Sequence, residues 1–256
     1  MGKNKLKKFA EIEQMDHVFQ FPFARLESEG FPLKGNWHMG FFNNNNPIVI
    51  EIGCGRGEYT VGLARRFPDR NFIGIDIKGA RIHAGAKQAL IDGLKNVAFL
   101  RTNVELLPFF FSSGEVEEIW ITFPDPQMKK PRRRLTSTMF LDTYRKVLRP
   151  DGIINLQTDS PFLYTYTERL VCLNRLPVVA NISDIYHTPE ALTDILRIRT
   201  HYESQWLDRG LTIKYLAFSL PQYLDLTEPE EDDIPLDTYR SYGRNYNTRN
   251  QNDTIS

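Results

Sequence analysis

Cysteine is scarce in this sequence of 256 residues, and its scarcity excludes several classes of protein. The two cysteines, Cys54 and Cys172, are too few for a disulfide framework or a structural zinc site. The five histidines are scattered without the spacing of metal ligands, so we predict no metal site. No run of about 18 apolar residues is present, which argues against a transmembrane helix. The basic segment from Met1 to Lys8 has no apolar region after it, so we predict no secretory signal and a cytoplasmic protein.

The sequence also lacks net charge, because 32 Lys and Arg balance 32 Asp and Glu. The balance is uneven along the chain. Residues 225–256 include eight acidic and three basic side chains, which leaves 29 basic and 24 acidic side chains in the rest. A basic run from Lys129 to Arg134 contains five positive side chains. Such runs are usually solvated surface, and they indicate nucleic-acid binding only when other features agree.

Short β-branched runs and helical patterns alternate from residue 47 onward. Runs typical of buried strands span residues 48–52, 71–75, 97–100, 119–123 and 153–157, with a last strand within 211–220. Helical patterns span residues 59–67 and 78–91, and a third helix begins at a cap formed by Thr136 or Ser137. This alternation predicts an α/β fold in which a mostly parallel sheet carries helices on both faces.

The composition divides the chain into three parts. We predict a basic and aromatic N-terminal arm over residues 1–46, which is partly flexible, and a folded domain over residues 47–224. Residues 225–256 are acidic and then polar, and we expect them to form a disordered tail. The acidic stretch Glu228–Asp233 has two interpretations, of which a solubilising tail is preferred over a segment that folds onto the basic site.

Three glycines directly follow the first predicted strand. Gly53, Gly55 and Gly57 permit a tight turn and a close approach of the backbone to a ligand. A dinucleotide-binding fingerprint needs its third glycine one residue later, and that position is Glu58. Glu51 stands just before the glycines and, like Glu58, suits a cationic ligand better than a phosphate. A sulfonium-bearing amino acid with a free ammonium is such a ligand.

Polar side chains also close the next two strands. Asp76 is placed to accept hydrogen bonds from both hydroxyls of a ribose, and Asn103 to accept one from an adenine amino group. Ligands of open α/β sheets bind at the carboxyl ends of the strands. Asn103 has a plausible alternative role as a turn or helix-cap residue. Together with the glycine loop, these positions predict a site for S-adenosylmethionine.

The fourth predicted strand ends in Phe123-Pro124-Asp125-Pro126. The two prolines fix the backbone around Asp125 and remove hydrogen-bond donors, so its carboxylate is held at the sheet edge rather than within the ladder. The alternative is an ordinary turn. The basic run that starts at Lys129 follows at once and favours a functional role.

These motifs together resemble the bacterial tRNA (guanine-N7-)-methyltransferases. The resemblance spans residues 36–220, and it is carried by Glu51–Gly57, Gly74–Asp76, Phe123–Pro126 with its basic continuation, Gln157–Asp159 and Thr200–Glu203. It implies a Rossmann-like class I methyltransferase fold with a seven-stranded, mostly parallel sheet. It also implies transfer of the methyl group of S-adenosylmethionine to N7 of a variable-loop guanine in tRNA. The partner would be tRNA and not a membrane, and a monomer and a homodimer both stay open.

The resemblance also implies roles for individual residues. Asp125 would be the catalytic residue. The cofactor would be bound by Glu51, Gly53, Gly55, Gly57, Asp76, Asn103 and Asp125, and the RNA by Lys129, Asp159, Thr200, His201, Tyr202 and Glu203. Two features depart from the family pattern: Gln127-Met128 stand where Trp-Pro is usual, and Asn103 replaces an aspartate.

Three alternatives remain open at this point. An amino-group methyltransferase, such as one acting on adenine N6, uses a related motif but usually carries two adjacent prolines followed by an aromatic residue. An NAD-dependent oxidoreductase conflicts with the missing third glycine and with Glu58. A non-catalytic RNA-binding relative conflicts with the intact glycine loop and Asp125.

Two further residues have structural interpretations. We expect Cys54 to be a small packing residue, and Asp159 could also simply cap the helix that begins near Pro161.

Overall fold

The computed structural model describes residues 3–188, 193 and 195–239 of the chain. Its strands are β1 Val18–Gln20, β2 Ile48–Ile52, β3 Asn71–Ile75, β4 Val97–Arg101, β5 Val116–Thr122, β6 Leu148–Thr158, β7 Val178–Ile182 and β8 Lys214–Ser219. Its α-helices are α1 Lys3–Glu13, α2 Phe23–Glu29, α3 Glu58–Arg66, α4 Gly79–Ile91, α5 Leu107–Phe110, α6 Thr138–Arg145, α7 Pro161–Leu173 and α8 His201–Leu207. Within these residues the strands form one sheet, in the order β1-β4-β3-β2-β5-β6-β8-β7.

The sheet is mostly parallel, as predicted. The five pairs from β1 to β6 are parallel, whereas β8 runs antiparallel to both of its neighbours. The pattern of the sequence located six strands, and the resemblance implied seven. The structure has eight, since it adds β7 next to β8 and Val18–Gln20, which pairs with Phe99–Arg101 at the edge. The strand order reverses where β2 lies between β3 and β5, so the crevice expected to hold ligands opens at the carboxyl ends of these strands.

Alternating side chains of the strands build a core on each face of the sheet. Ile48, Ile50 and Ile52 of β2 belong to one core, which α5, α6 and α7 cover. Val49 of the same strand and Trp120 of β5 belong to the other, which α1, α3 and α4 cover. Because both faces are covered, the strands consist of nearly continuous apolar runs, and this is why their positions could be predicted from the sequence.

Aromatic side chains tie the segment before Pro47 to the first of these cores. Trp37 is fully buried, and its Nε1 donates a hydrogen bond to the Phe110 carbonyl at 3.0 Å. The rings of Phe19, Phe31 and Phe111 lie 5.0 to 5.6 Å from the Trp37 ring. The segment 18–42 thus contributes core and a strand to the domain, whereas a partly flexible arm was expected. The domain boundary itself stays a prediction.

Residues 228–239, here called the C-terminal strap, pack across the starts of α6 and α7. Glu228 Oε1 accepts hydrogen bonds from the backbone N and Oγ1 of Thr138, at 2.9 and 2.8 Å. Asp237 Oδ1 accepts from the backbone N of Phe162 at 3.1 Å, and Ile234 is buried. Both carboxylates therefore satisfy free N–H groups at helix N-termini, where negative charge is favourable.

The strap also neutralises one member of the basic run. Arg134 is fully buried and pairs with Glu231 through both of its terminal nitrogens. Its guanidinium lies 4.8 Å from the Phe162 ring and 4.4 Å from the Tyr166 ring. Of the two interpretations of the acidic stretch, the described part therefore supports folding onto the basic site, because Arg134 requires a buried partner.

Candidate functional site

The glycine loop between β2 and α3 adopts a conformation that favours glycine. The φ angles of Gly53, Gly55 and Gly57 are 73°, 55° and 69°, in the left-handed region. A Cβ on Gly57 would also lie 2.6 Å from Cε1 of Phe99, so this position excludes every larger side chain. The backbone N of Gly53 donates to the carbonyl of Ile75 at 2.8 Å, which fixes the loop to the end of β3.

Asp76 holds the same loop from the carboxyl end of β3. Its Oδ2 accepts from the backbone N of Gly55 at 2.9 Å, and its Oδ1 accepts from the backbone N of Lys78 at 2.7 Å. A carboxylate oxygen can accept a second hydrogen bond, so Asp76 retains acceptor capacity for a ligand.

Glu51 is a buried carboxylate on the wall of the candidate site. Only 3% of the residue is exposed. Its Oε2 accepts from the backbone N of Thr60 at 2.9 Å and also from the Thr60 hydroxyl, while its Oε1 accepts from the Thr122 hydroxyl at 2.5 Å. Burial raises the pKa of Glu51 to about 7, although these hydrogen bonds partly oppose the shift. A ligand cation beside Glu51 would favour its ionised form.

The Phe-Pro-Asp-Pro loop after β5 is strained at both ends. Phe123 and Gln127 both have a φ of 48°, which is uncommon for residues other than glycine and costs roughly 1–3 kcal/mol each. The backbone N of Phe123 donates to the Gln157 carbonyl at 2.8 Å, which anchors the loop to β6. Asp125 is exposed between them, and its Oδ1 accepts from the backbone N of Gln127 at 3.1 Å. Strain of this kind is typical of functional loops.

One cavity of about 360 Å³ brings several of the predicted residues together. Of the residues predicted from the sequence, it is lined by Glu51, Gly53, Gly55, Asp125, Thr200 and Tyr202. Thr122 and Trp206 also line it, and no local pattern in the sequence indicates either residue. Cys54 is buried in its wall, as expected of a packing residue, and burial raises the pKa of its thiol.

A second cavity of about 690 Å³ contains Asn103, which does not line the first. Ile77 and Thr102 share its wall, together with residues 20–23 at the end of β1. Sequence reasoning missed residues 20–23, because nothing in their local pattern indicates that β1 adds to the sheet beside β4. Asp76 is hydrogen-bonded to Gly55 of the first cavity and immediately precedes Ile77 of the second. The predicted cofactor positions therefore extend along one edge of the sheet, from the first cavity to the second.

Two of the predicted RNA-binding residues serve mainly to build the site. Thr200 and Glu203 form a capping box that begins α8. Glu203 is fully buried, and its Oε1 accepts from the Tyr186 hydroxyl at 2.8 Å and from Gln157 Nε2 at 3.1 Å. Burial raises the pKa of Glu203 to about 7. Thr200 still lines the cavity, whereas Glu203 acts from behind it.

The other predicted RNA-binding residues lie in different surroundings. Tyr202 is 40% exposed and lines the first cavity. His201 does not line this cavity, and its backbone N donates to Glu58 at 2.7 Å. Lys129 is exposed on the continuation of the Phe-Pro-Asp-Pro loop. Asp159 is fully buried, and its Oδ2 accepts from the Tyr239 hydroxyl of the C-terminal strap at 2.6 Å.

Two sequence-based interpretations need correction. The cap of α7 is Ser160, whose Oγ accepts from the backbone N of Leu163 at 2.9 Å, so Asp159 is not the capping residue. The basic run does not act as one surface either. Arg132 and Arg133 are exposed, whereas Arg134 is fully buried against Glu231 and cannot reach an RNA phosphate.

The architecture defines the class of protein. The solved structure of the 16S rRNA methyltransferase KamB matches with a TM-score of 0.55 over 79% of this chain and 95% of that chain, at 16% sequence identity. At such low identity the likeness concerns the fold alone. The chain has the Rossmann-like fold of a class I methyltransferase, with its candidate site at the usual edge of the sheet.

The sequence comparisons define the family. The family described as "Putative methyltransferase" matches residues 45–216. The tRNA (guanine-N(7)-)-methyltransferase of Bacteroides thetaiotaomicron is 57% identical over 244 residues, which cover 95% of this chain and 96% of the relative. That of Porphyromonas gingivalis is 60% identical over 236 residues, which cover 91% and 96%. The chain belongs to the tRNA (guanine-N7)-methyltransferase family, and the resemblance drawn from its motifs is confirmed.

Proposed function

We propose that this chain transfers a methyl group from S-adenosylmethionine to N7 of a guanine in the variable loop of tRNA. The observation that carries the proposal is the 360 Å³ cavity. Glu51 and the glycine loop line it as candidate cofactor residues, and Asp125, Thr200 and Tyr202 line it as candidate substrate residues. A methyl donor and a base can meet only in a site where both groups of residues converge.

The residues present fit S-adenosylmethionine, which supplies an electrophilic methyl group on a positively charged sulfur when it is bound. Glu51 offers a buried carboxylate to a cation, and the glycine loop lets the backbone approach a ligand closely. Asp76 would accept from the ribose hydroxyls. Asn103 and Ile77, in the neighbouring cavity, would contact the adenine.

Asp125 would act through charge and position rather than as a base. Guanine N7 carries a lone pair and no proton, so its methylation requires no proton removal. Positive charge develops on the imidazole ring of guanine during transfer, and a carboxylate at the cavity wall stabilises it. The two strained residues that flank Asp125 hold its backbone in a fixed place, which reduces the reorganisation needed for the reaction.

The remaining residues would position the RNA. Lys129 is placed to bind phosphate, and the exposed ring of Tyr202 to stack on the base. Tyr202 and Trp206 would supply the aromatic surface that the family usually has in the Trp at position 127, where this chain has Gln127. Asp159 and Glu203 would support the site through Tyr239 and Tyr186, to which they are hydrogen-bonded.

The proposal is tested by incubating the purified protein with an unmodified tRNA transcript and S-adenosylmethionine carrying a labelled methyl group. Nuclease digestion then maps the methylated base. We expect label on N7 of one variable-loop guanine, and none on a transcript in which that guanine is replaced by adenine. Label on an exocyclic amino group would instead support the amino-group methyltransferase, and absence of label from all tRNAs would contradict the proposal.

A further inference from the structure

A groove of about 660 Å³ runs beside the candidate active site, between α3, α4 and the segment 197–204. Its described lining is strongly basic, and the positively charged or titratable side chains are Arg56, Arg65, Arg66, Arg197, Arg199 and His201. All six side chains are exposed. Glu58 is the one carboxylate among the described lining residues. The function derived above uses none of these arginines.

We propose that this groove binds the phosphate backbone of the tRNA next to the nucleotide that is methylated. The inference rests on the proposed function and adds a second RNA contact to it, separate from the basic run at Lys129. A cluster of arginines on one face of a protein indicates a nucleic-acid-binding surface. The planar guanidinium group matches the geometry of a phosphate and binds it through two hydrogen bonds.

The groove is continuous with the candidate active site. Arg56, Glu58 and Thr200 line both the groove and the 360 Å³ cavity. An RNA strand whose guanine enters the cavity therefore has its neighbouring phosphates within reach of the groove. Gly62 and Gly85 also line the groove, and their lack of a side chain lets Ile198 pack on α3 and the backbone of Arg56 and Gly57 pack on α4.

Part of the groove is already held in place without a ligand. The Arg199 guanidinium lies 5.1 Å from the Tyr186 ring, and its Nε donates to the Tyr186 hydroxyl at 3.3 Å. Tyr186 donates in turn to Glu203 at the start of α8. The Arg65 Nε donates to Asp92 at 2.7 Å. A guanidinium that is fixed before binding loses less conformational freedom when it contacts a phosphate.

The test uses a double variant, Arg66→Gln with Arg197→Gln, and measures binding of unmodified tRNA transcript across a range of salt concentrations without cofactor. Loss of two phosphate contacts should make the slope of log affinity against log salt shallower by about 1.4 to 1.8. KM for tRNA should rise, whereas kcat at saturating tRNA and KM for S-adenosylmethionine stay unchanged. The charge-conserving variant Arg66→Lys with Arg197→Lys should retain most of the wild-type slope.

The matched control is Arg149→Gln with Arg175→Gln, which removes the same charge at two exposed positions, at the start of β6 and just before β7, that line neither the groove nor the 360 Å³ cavity. An unchanged slope in the groove variant, or the same change in the control, would overturn the inference. If the double variant does not fold, each single variant should show about half of the slope change. The binding measurement involves no methyl transfer, so it tests the groove alone. If the proposed function is wrong, the wild-type protein transfers no methyl group to tRNA, and that result is separate from the salt dependence of binding.

Discussion

At the scale of single residues, the site depends on where two carboxylates lie. Glu51 is buried among hydroxyl groups in the wall of the 360 Å³ cavity, whereas Asp125 is exposed on a loop held by two strained neighbours. Both line the same cavity, and burial raises the pKa of Glu51. The difference in burial suits Glu51 to bind a cation and Asp125 to meet a charge that appears during the reaction.

Replacing Asp125 with alanine should therefore slow methyl transfer far more than it weakens RNA binding. We expect kcat to fall by about 10²- to 10³-fold, the usual loss when one preorganised electrostatic contact to a transition state is removed. Single-turnover rates and tRNA affinity measured on the same preparation would show the difference. The exposed Asp69, which lies outside the site, provides the control Asp69→Ala with wild-type turnover. Equal losses of turnover and affinity would point to a binding role for Asp125.

At the scale of secondary-structure elements, the C-terminal strap holds together the part of the domain around α6 and α7. It supplies carboxylates to the starts of α6 and α7, an ion pair to the buried Arg134 and a hydroxyl to Asp159. Of the two predicted cap residues, Thr136 and Ser137, it is Ser137 that stands at the N-cap of α6, but its side chain makes no capping bond and Glu228 takes that role. The strap thus completes elements that lie far from it in sequence.

Removing the partner of Arg134 should destabilise the protein strongly. In Glu231→Ala, a buried guanidinium loses its counter-charge, and we expect the free energy of unfolding to fall by about 3–5 kcal/mol. Urea denaturation followed by tryptophan fluorescence measures this change. The matched control is Asp233→Ala. Asp233 lies on the same strap and forms an exposed ion pair with Arg169 of α7, so its loss should change the free energy of unfolding little. Similar effects in the two variants would show that Arg134 does not depend on Glu231.

At the scale of the whole molecule, local patterns could be predicted from the sequence and long-range partners could not. The strand 71–75 and the loop with Gly53, Gly55 and Gly57 were correct because they depend on neighbouring residues and on burial of both sheet faces. The hydrogen bonds of the strap to Thr138, Phe162 and Asp159 join residues 90, 75 and 80 positions apart. No periodicity or spacing encodes such contacts. Likewise, β1 is three residues long and pairs with β4, which only the folded sheet reveals.

The two buried glutamates give the stability of the whole molecule a definite pH dependence. The pKa values of Glu51 and Glu203 rise from 4.5 to about 7 in the folded protein, so the native state binds protons more tightly than the unfolded state. Their contribution to stability is complete below pH 4.5 and is lost as the pH rises through 7. Each carboxyl should contribute up to about 3 kcal/mol to this change.

Chemical denaturation between pH 5 and 8 would detect this dependence as the difference between wild type and Glu51→Gln with Glu203→Gln. We expect the double variant to lose less stability than wild type as the pH rises, because its amides do not titrate. The exposed Glu27 gives the control Glu27→Gln, which should follow wild type. Parallel curves for wild type and the double variant would contradict the assignment.

The C-terminal strap has a further consequence for how the protein is made. A ribosome translates α6, α7 and Arg134 before it reaches residues 228–239, so the emerging chain presents these elements without the carboxylates that complete them. Arg134 has its counter-charge, and Asp159 its tyrosine, only after the strap has left the exit tunnel. These contacts are therefore assembled last, and a message cut short before residue 228 yields a chain that contains the glycine loop but lacks the carboxylates at the starts of α6 and α7.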